Sequence, residues 1–123
     1  RRVLDFGPGE GYPSLGLAPF VKEVVGVEGS AKRAGECSAN AHRMGIANAG
    51  FVHVPPGQPL PFPDACFDGA VASWSLEQST NLRMTLGEIC RVLRPGGVFR
   101  FEPETLGRST MTAIYSSAGG RRR

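Results

Sequence analysis

The chain has 123 residues and a formal net charge of +3, figures that exclude several classes of protein. One domain is the most that this length accommodates. The positive excess lies at the ends, in Arg1, Arg2 and 121–123, and without these five arginines 9 basic and 11 acidic side chains remain. The body of the chain is mildly acidic and lacks the basic stripe of a nucleic-acid-binding protein, so no nucleic-acid partner is predicted.

Strand and helix signals alternate along the chain. In order, they predict strand 2–6, helix 13–21, strand 23–28, helix 31–44, strand 50–54, strand 67–74, helix 82–93 and strand 98–102. This order predicts right-handed crossovers and a Rossmann-like α/β/α sandwich whose parallel sheet has strand order 3-2-1-4-5. Residues 1–105 form the predicted core domain. Residues 106–123 form a predicted, partly disordered tail with a short helix over 110–118.

The cysteines and apolar runs exclude further classes. Cys37, Cys66 and Cys90 are widely spaced without a C-x-x-C pair, and His42 and His53 do not lie at ligand spacing from them. Neither a disulfide framework nor a metal site is therefore predicted. No apolar run approaches the roughly 20 residues of a membrane span, and no signal peptide is recognisable. The expected compartment is the reducing cytoplasm.

The first strand runs into a glycine-rich turn that contains Gly7, Gly9 and Gly11. Glycine lets a backbone approach a ligand closely, because no Cβ intervenes. The second strand ends in Glu28, whose carboxylate can accept hydrogen bonds from both hydroxyls of a ribose. Together these features predict a nucleoside-cofactor site at the carboxyl edge of a parallel sheet.

The charge of Asp5, directly before this turn, distinguishes two cofactor classes. The glycine spacing differs from the G-x-G-x-x-G pattern of dinucleotide-binding units, in which a helix amino end faces a pyrophosphate. A carboxylate at this position would repel a pyrophosphate. It suits S-adenosyl-L-methionine, which carries a sulfonium and an ammonium and no phosphate.

Three later motifs follow: Leu60-Pro61-Phe62-Pro63-Asp64, the run 66–74 and Arg91-Val92-Leu93-Arg94-Pro95-Gly96-Gly97. With the glycine turn, they resemble the class I S-adenosylmethionine-dependent methyltransferases over roughly 3–102. The nearest branch is the type 11 group, which includes quinone-biosynthesis C-methyltransferases. Members usually carry helices before the first strand and two strands after the fifth. The resemblance therefore implies a truncated copy or a fragment that lacks those last two strands.

The resemblance implies specific site residues. Pro56 stands where the family has an acid that holds the adenine amine, so Gly57 and Gln58 are expected to replace it. Glu77 is a weak candidate for a catalytic base, and the catalytic residues are otherwise unknown. The implied cofactor-binding residues are Asp5, Gly7, Gly9, Gly11, Glu28, Gly29, Gly57, Gln58, Ser73 and Trp74.

The resulting functional hypothesis is methyl transfer to a small-molecule acceptor by in-line displacement, with carbon, oxygen and nitrogen acceptors all open. One alternative is a truncated, non-catalytic domain that binds cofactor weakly or not at all. A nicotinamide-dependent oxidoreductase is a second alternative, which the glycine spacing and Asp5 disfavour. An exposed fifth strand would also permit a homodimer through the sheet edge.

Overall fold

The computed structural model describes residues 1–7, 12–72, 81–101 and 111–114, which contribute to one six-stranded sheet and its helices. The first five strands are parallel in the order 3-2-1-4-5, which confirms the predicted Rossmann-like architecture. In chain order the elements are β1 (Arg2–Phe6), α1 (Tyr12–Leu17), β2 (Glu23–Glu28), α2 (Ala31–Arg43), β3 (Ala49–His53), β4 (Phe67–Ala72), α3 (Leu82–Val92), β5 (Leu93–Phe101) and β6 (Met111–Ile114).

The core forms around β1, which lies between β2 and β4. Leu4 of β1 is fully buried, and every residue of β2 after the first is buried. Strands that are apolar on both faces are typical of a parallel sheet covered on both sides. Phe67, Ile89 and Leu93 bring β4, α3 and β5 into the same cluster. This packing holds β1 in the centre of the sheet.

The fifth strand begins five residues earlier than predicted. β5 starts at Leu93, directly after α3, and the predicted start was residue 98. β5 pairs with β4 first at Leu93 and again from Val98, with a register irregularity between the two positions. Gly96 has a φ of +84° there. A Cβ at Gly97 would lie 2.9 Å from the carbonyl oxygen of Arg94. Residues 95–97, which lie between the predicted helix and the predicted strand, therefore form an irregularity within β5 that glycine accommodates.

A sixth strand lies within the range 110–118, over which a helix was predicted. Met111–Ile114 forms β6, which pairs antiparallel with β5 from Val98 to Phe101. The prediction failed because strand pairing between distant segments outweighed a weak local helix signal. Since β6 covers β5, the fifth strand is not the exposed edge that the sequence suggested.

Arg91, near the end of α3, holds the loop over 60–64 against the helix. Its guanidinium donates to Glu88, to the Asp64 carboxylate at 2.8 Å and to the carbonyl oxygens of Leu60 and Phe62, each at 2.9 Å. The hydrogen bond from Arg91 lowers the pKa of Glu88, whose carboxylate also accepts the Leu60 N–H at 2.8 Å.

We expect Arg91→Lys to lower the free energy of unfolding by about 1–3 kcal/mol, because lysine keeps the charge but loses the planar set of donors. Arg94→Lys is the matched control, since Arg94 is half-exposed and contacts Asp68 at 2.8 Å. That substitution should cost less than about 1 kcal/mol. Urea denaturation followed by circular dichroism measures both. A loss at Arg91 as small as that at Arg94 would show that the charge near the helix end, and not the hydrogen-bond geometry, matters.

Candidate functional site

The parallel strands bring the predicted site residues to one edge of the sheet. Phe6 at the end of β1 is in register with Val27 on β2 and with Ala72 on β4. Glu28 on β2 is in register with His53 on β3. The carboxyl ends of the four strands therefore meet where α/β folds bind ligands.

Gly7 lies at this edge directly after β1. Its φ of +71° lies in the left-handed region, which favours glycine. Its N–H donates to the carbonyl oxygen of Val27 at 2.7 Å, which ties the start of the turn to β2. The first residue of the predicted glycine turn thus has the backbone conformation that such a turn requires.

Asp5 is a buried carboxyl, with 1% of the residue exposed. Burial is the main cause that raises its pKa to about 6, and the negative charge of Glu28 contributes to the same rise. A hydrogen bond from the Ser14 hydroxyl of α1 opposes this shift. Asp5 is therefore a group whose protonation state changes just below neutral pH.

Glu28 is the second buried carboxylate at this edge, with 6% of the residue exposed. One of its oxygens accepts the Ser30 N–H at 3.3 Å, and its carbonyl oxygen accepts the Val54 N–H at 2.9 Å. Ser30 also caps α2 by accepting the N–H of Arg33. The α2 start and the end of β3 thus fix the position of the Glu28 side chain.

The Asp5–Glu28 pair joins two carboxylates of like charge in a poorly solvated place. A ligand that brings a positive charge and hydrogen-bond donors would relieve their repulsion. A pyrophosphate would increase it. The residues present therefore fit a cationic nucleoside such as S-adenosylmethionine.

Residues 55–58 form a tight turn beside the end of β2. The Gln58 N–H donates to the carbonyl oxygen of Pro55 at 3.2 Å, and Gly57 has a φ of +84°. Proline and then glycine at the two central positions are typical of a type II turn. A Cβ on Gly29 would lie 3.6 Å from the ring of Pro56, so the turn lies beside Gly29, one of the predicted cofactor-binding residues. The Gln58 N–H is committed to the turn, which leaves its exposed side-chain amide available.

The structure thus brings together Asp5, Gly7, Glu28, Gly29 and the turn with Gly57 and Gln58. Sequence reasoning missed Ser14, a polar residue of a helix that packs on the sheet. The remaining predicted residues, Gly9, Gly11, Ser73, Trp74 and Glu77, lie outside the described residues.

Two broader searches cover the described residues. Within the ranges given above, no group of three or more His, Cys, Asp or Glu side chains could hold a metal ion. None of the helices in these ranges has the length and apolar character that crossing a membrane requires.

The raised pKa of Asp5 predicts a pH-dependent cost of folding. The folded state holds this proton more tightly than the unfolded chain does. The contribution of Asp5 to the free energy of unfolding is therefore fully present below about pH 4 and is lost between about pH 4 and 6. We expect Asp5→Asn to gain stability relative to the unmodified protein by about 2 kcal/mol between pH 4 and pH 7. Urea denaturation at both pH values measures the difference. An equal stability difference at the two values would contradict the assignment.

The chain is similar to several curated proteins. It is 33% identical over 99 residues to the uncharacterized methyltransferase YcgJ of Bacillus subtilis. The aligned residues cover 80% of this chain and 39% of YcgJ. It is 36% identical over 96 residues to the sterol 4-C-methyltransferase strm-1 of Caenorhabditis elegans, with 78% and 29% covered. The chain therefore spans about two fifths or less of the length of these relatives.

Solved structures show the same fold. The Bacillus subtilis YcgJ structure superposes with a TM-score of 0.78 at 32% identity, over 81% of this chain and 42% of that chain. The [4+2]-cyclase SpnF superposes with a TM-score of 0.76 at 32% identity, over 81% and 37%. Residues 4–101 match the methyltransferase domain family. This match covers most of the chain and includes both buried carboxylates, and the chain belongs to that family.

Proposed function

We propose that this chain carries the cofactor-binding part of an S-adenosylmethionine-dependent methyltransferase that acts on a small-molecule acceptor. The single observation that carries the proposal is the pair of buried carboxylates, Asp5 and Glu28, at the carboxyl edge of the sheet. Membership of the methyltransferase domain family supports it.

Each carboxylate has a separate task in this proposal. Glu28 would bind the two ribose hydroxyls, because a carboxylate can accept two hydrogen bonds at once and such charge-assisted bonds are strong. Asp5 would attract the ammonium of the methionine part. Gly7 would keep the backbone low under that part, with Gly9 and Gly11 as further predicted members of the turn.

The adenine side is the weaker half of the site. The family acid is replaced by Pro56, so the Gly57 N–H and the Gln58 side-chain amide are the groups left to bind the base, beside Gly29. Loss of a hydrogen bond to a charged acceptor costs roughly 1.5–3 kcal/mol, which is about tenfold to a hundredfold in affinity. We expect weaker cofactor binding than an acid at position 56 would give.

When bound, the cofactor supplies an activated methyl group with a neutral leaving group. The residues of the chain then contribute binding, orientation and exclusion of water. Ser73 and Trp74 are predicted to lie near the methyl group, and Glu77 is the predicted base where the acceptor must lose a proton. The acceptor is predicted only as a small molecule, with carbon, oxygen and nitrogen acceptors all open. The resemblance to the branch that includes quinone-biosynthesis C-methyltransferases remains a prediction.

The alternative is a domain that binds cofactor weakly and transfers no methyl group. Pro56 favours it, and SpnF, described as a [4+2]-cyclase, shows that a similar fold also occurs in an enzyme of another reaction class. Homodimerisation through the sheet also remains a proposal, and it would now use β6 or β3, because β5 is already paired on both sides.

Calorimetric titration with S-adenosylhomocysteine tests the cofactor site. We expect Glu28→Gln to weaken binding about tenfold to a hundredfold, because the ribose loses a charged acceptor. Glu23→Gln is the matched control. Glu23 begins the same strand, pairs with Arg2 and lies at the amino end of the parallel strands, opposite to the site. Binding in the control should stay within about twofold.

Three other outcomes decide between the hypotheses. Binding of NAD in place of S-adenosylhomocysteine would overturn the cofactor assignment. Equal losses in the Glu28 and Glu23 variants would overturn the site. If the ligand binds at the predicted site but isotope-labelled methyl groups reach no member of a panel of quinones, sterols and phenols, the non-catalytic alternative is favoured.

A further inference from the structure

Ser14 is a fully buried hydroxyl that the proposed function does not use. It is 0% exposed and lies on α1 next to the buried Leu15. Its hydroxyl donates to Oδ2 of Asp5, nine residues earlier in the chain. A buried polar group needs a partner, and this contact satisfies both side chains. The hydrogen bond therefore joins α1 to the carboxyl end of β1.

The surroundings of Asp5 oppose its negative charge. β2 places Glu28 near it, whose charge repels a second carboxylate. β4 places Val71 in register beside it, and the described side chains of α1 from Ser14 to Leu17 include no ionisable group. His53 on β3 is one strand further away, in register with Glu28. Among the described side chains, the hydrogen-bond donor to Asp5 is Ser14.

We propose that Ser14 is a positioning residue for cofactor binding, which keeps the Asp5 carboxylate ionised and in one orientation at the edge of the sheet. The cofactor half of this proposal rests on the proposed function above. The Ser14–Asp5 linkage itself does not, because it is a property of the protein without ligand.

The physical argument follows from the two protonation states of Asp5. A hydroxyl donates a stronger hydrogen bond to a carboxylate than to a neutral carboxyl group, so Ser14 lowers the pKa that burial and Glu28 raise. Only the ionised form attracts an ammonium. Affinity for a cationic ligand should therefore rise with pH through the Asp5 pKa near 6, and removal of Ser14 should move this rise to higher pH.

The test is the pH profile of S-adenosylhomocysteine binding between pH 5 and 8. We expect Ser14→Ala to shift the midpoint upward by about one pH unit, with about fivefold weaker binding at pH 6 and nearly equal binding at pH 8. Ser14→Cys fills the same space with a poor donor and should give the same shift. The same factor of weakening at every pH would indicate a purely structural role and would overturn the proposal.

Two controls separate the hydrogen bond from general effects. Asn48→Ala removes bonds from the Asn48 amide to the carbonyl oxygens of Ala18 and Val21, and so disturbs the far end of the α1 region without contact to Asp5. It should leave the midpoint unchanged, and an equal shift would overturn the proposal. In an Asp5→Asn background, Ser14→Ala should no longer alter the pH profile, so any remaining pH dependence belongs to groups other than Asp5.

A measurement without ligand distinguishes this proposal from the proposed function. The ¹³C shift of the Asp5 carboxyl, followed by NMR against pH, should show a higher midpoint in Ser14→Ala than in the unmodified protein. An unchanged midpoint would overturn the linkage. If the midpoint shifts but the unmodified protein binds no S-adenosylhomocysteine, the proposed function and the cofactor half of this proposal fail, and only the linkage stands.

Discussion

The repulsion between two buried carboxylates is the constraint on which the rest of the site depends. Asp5 is the last residue but one of β1, Glu28 ends the neighbouring β2, and both are almost inaccessible to water. A cluster of like charge in such a place lowers stability, and it is one of the features that mark functional sites. The sheet offsets this loss of stability, because Leu4 of β1 and the apolar residues of β2 are buried in the core.

The charges elsewhere in the fold are arranged in the opposite way. Arg91 is surrounded by Glu88, Asp64 and carbonyl oxygens, and Asp68 accepts from Arg94 and from the N–H of Arg2. These contacts pair opposite charges and connect loops to the sheet. The contrast with Asp5 and Glu28 is informative: where stability is the requirement charges are paired, and at the carboxyl edge they are left to repel.

Local patterns predicted most of the fold because its strands are short apolar runs between clear breaks. The bounds of β1 and β2 were correct, because a glycine follows β1 directly and a glutamate ends β2. The predicted first helix was too long, because Pro19 lies in a 3₁₀ turn after Leu17. β6, the early start of β5 and the contact between Ser14 and Asp5 could not be predicted, since each depends on segments that meet only in the folded chain.

The same reasoning explains why the cofactor is easier to infer than the acceptor. Cofactor recognition needs a sheet edge, a glycine turn and charges of one sign, and all three are local to β1 and β2. Acceptor recognition is set by groups whose placement no local pattern fixes, and similar folds are found in proteins described as methyltransferase and as cyclase. In the proposed function, two carboxylates favour a positively charged nucleoside whatever reaction follows. The charge at this edge then bears on the choice of cofactor, and the reaction depends on the acceptor that is brought next to it.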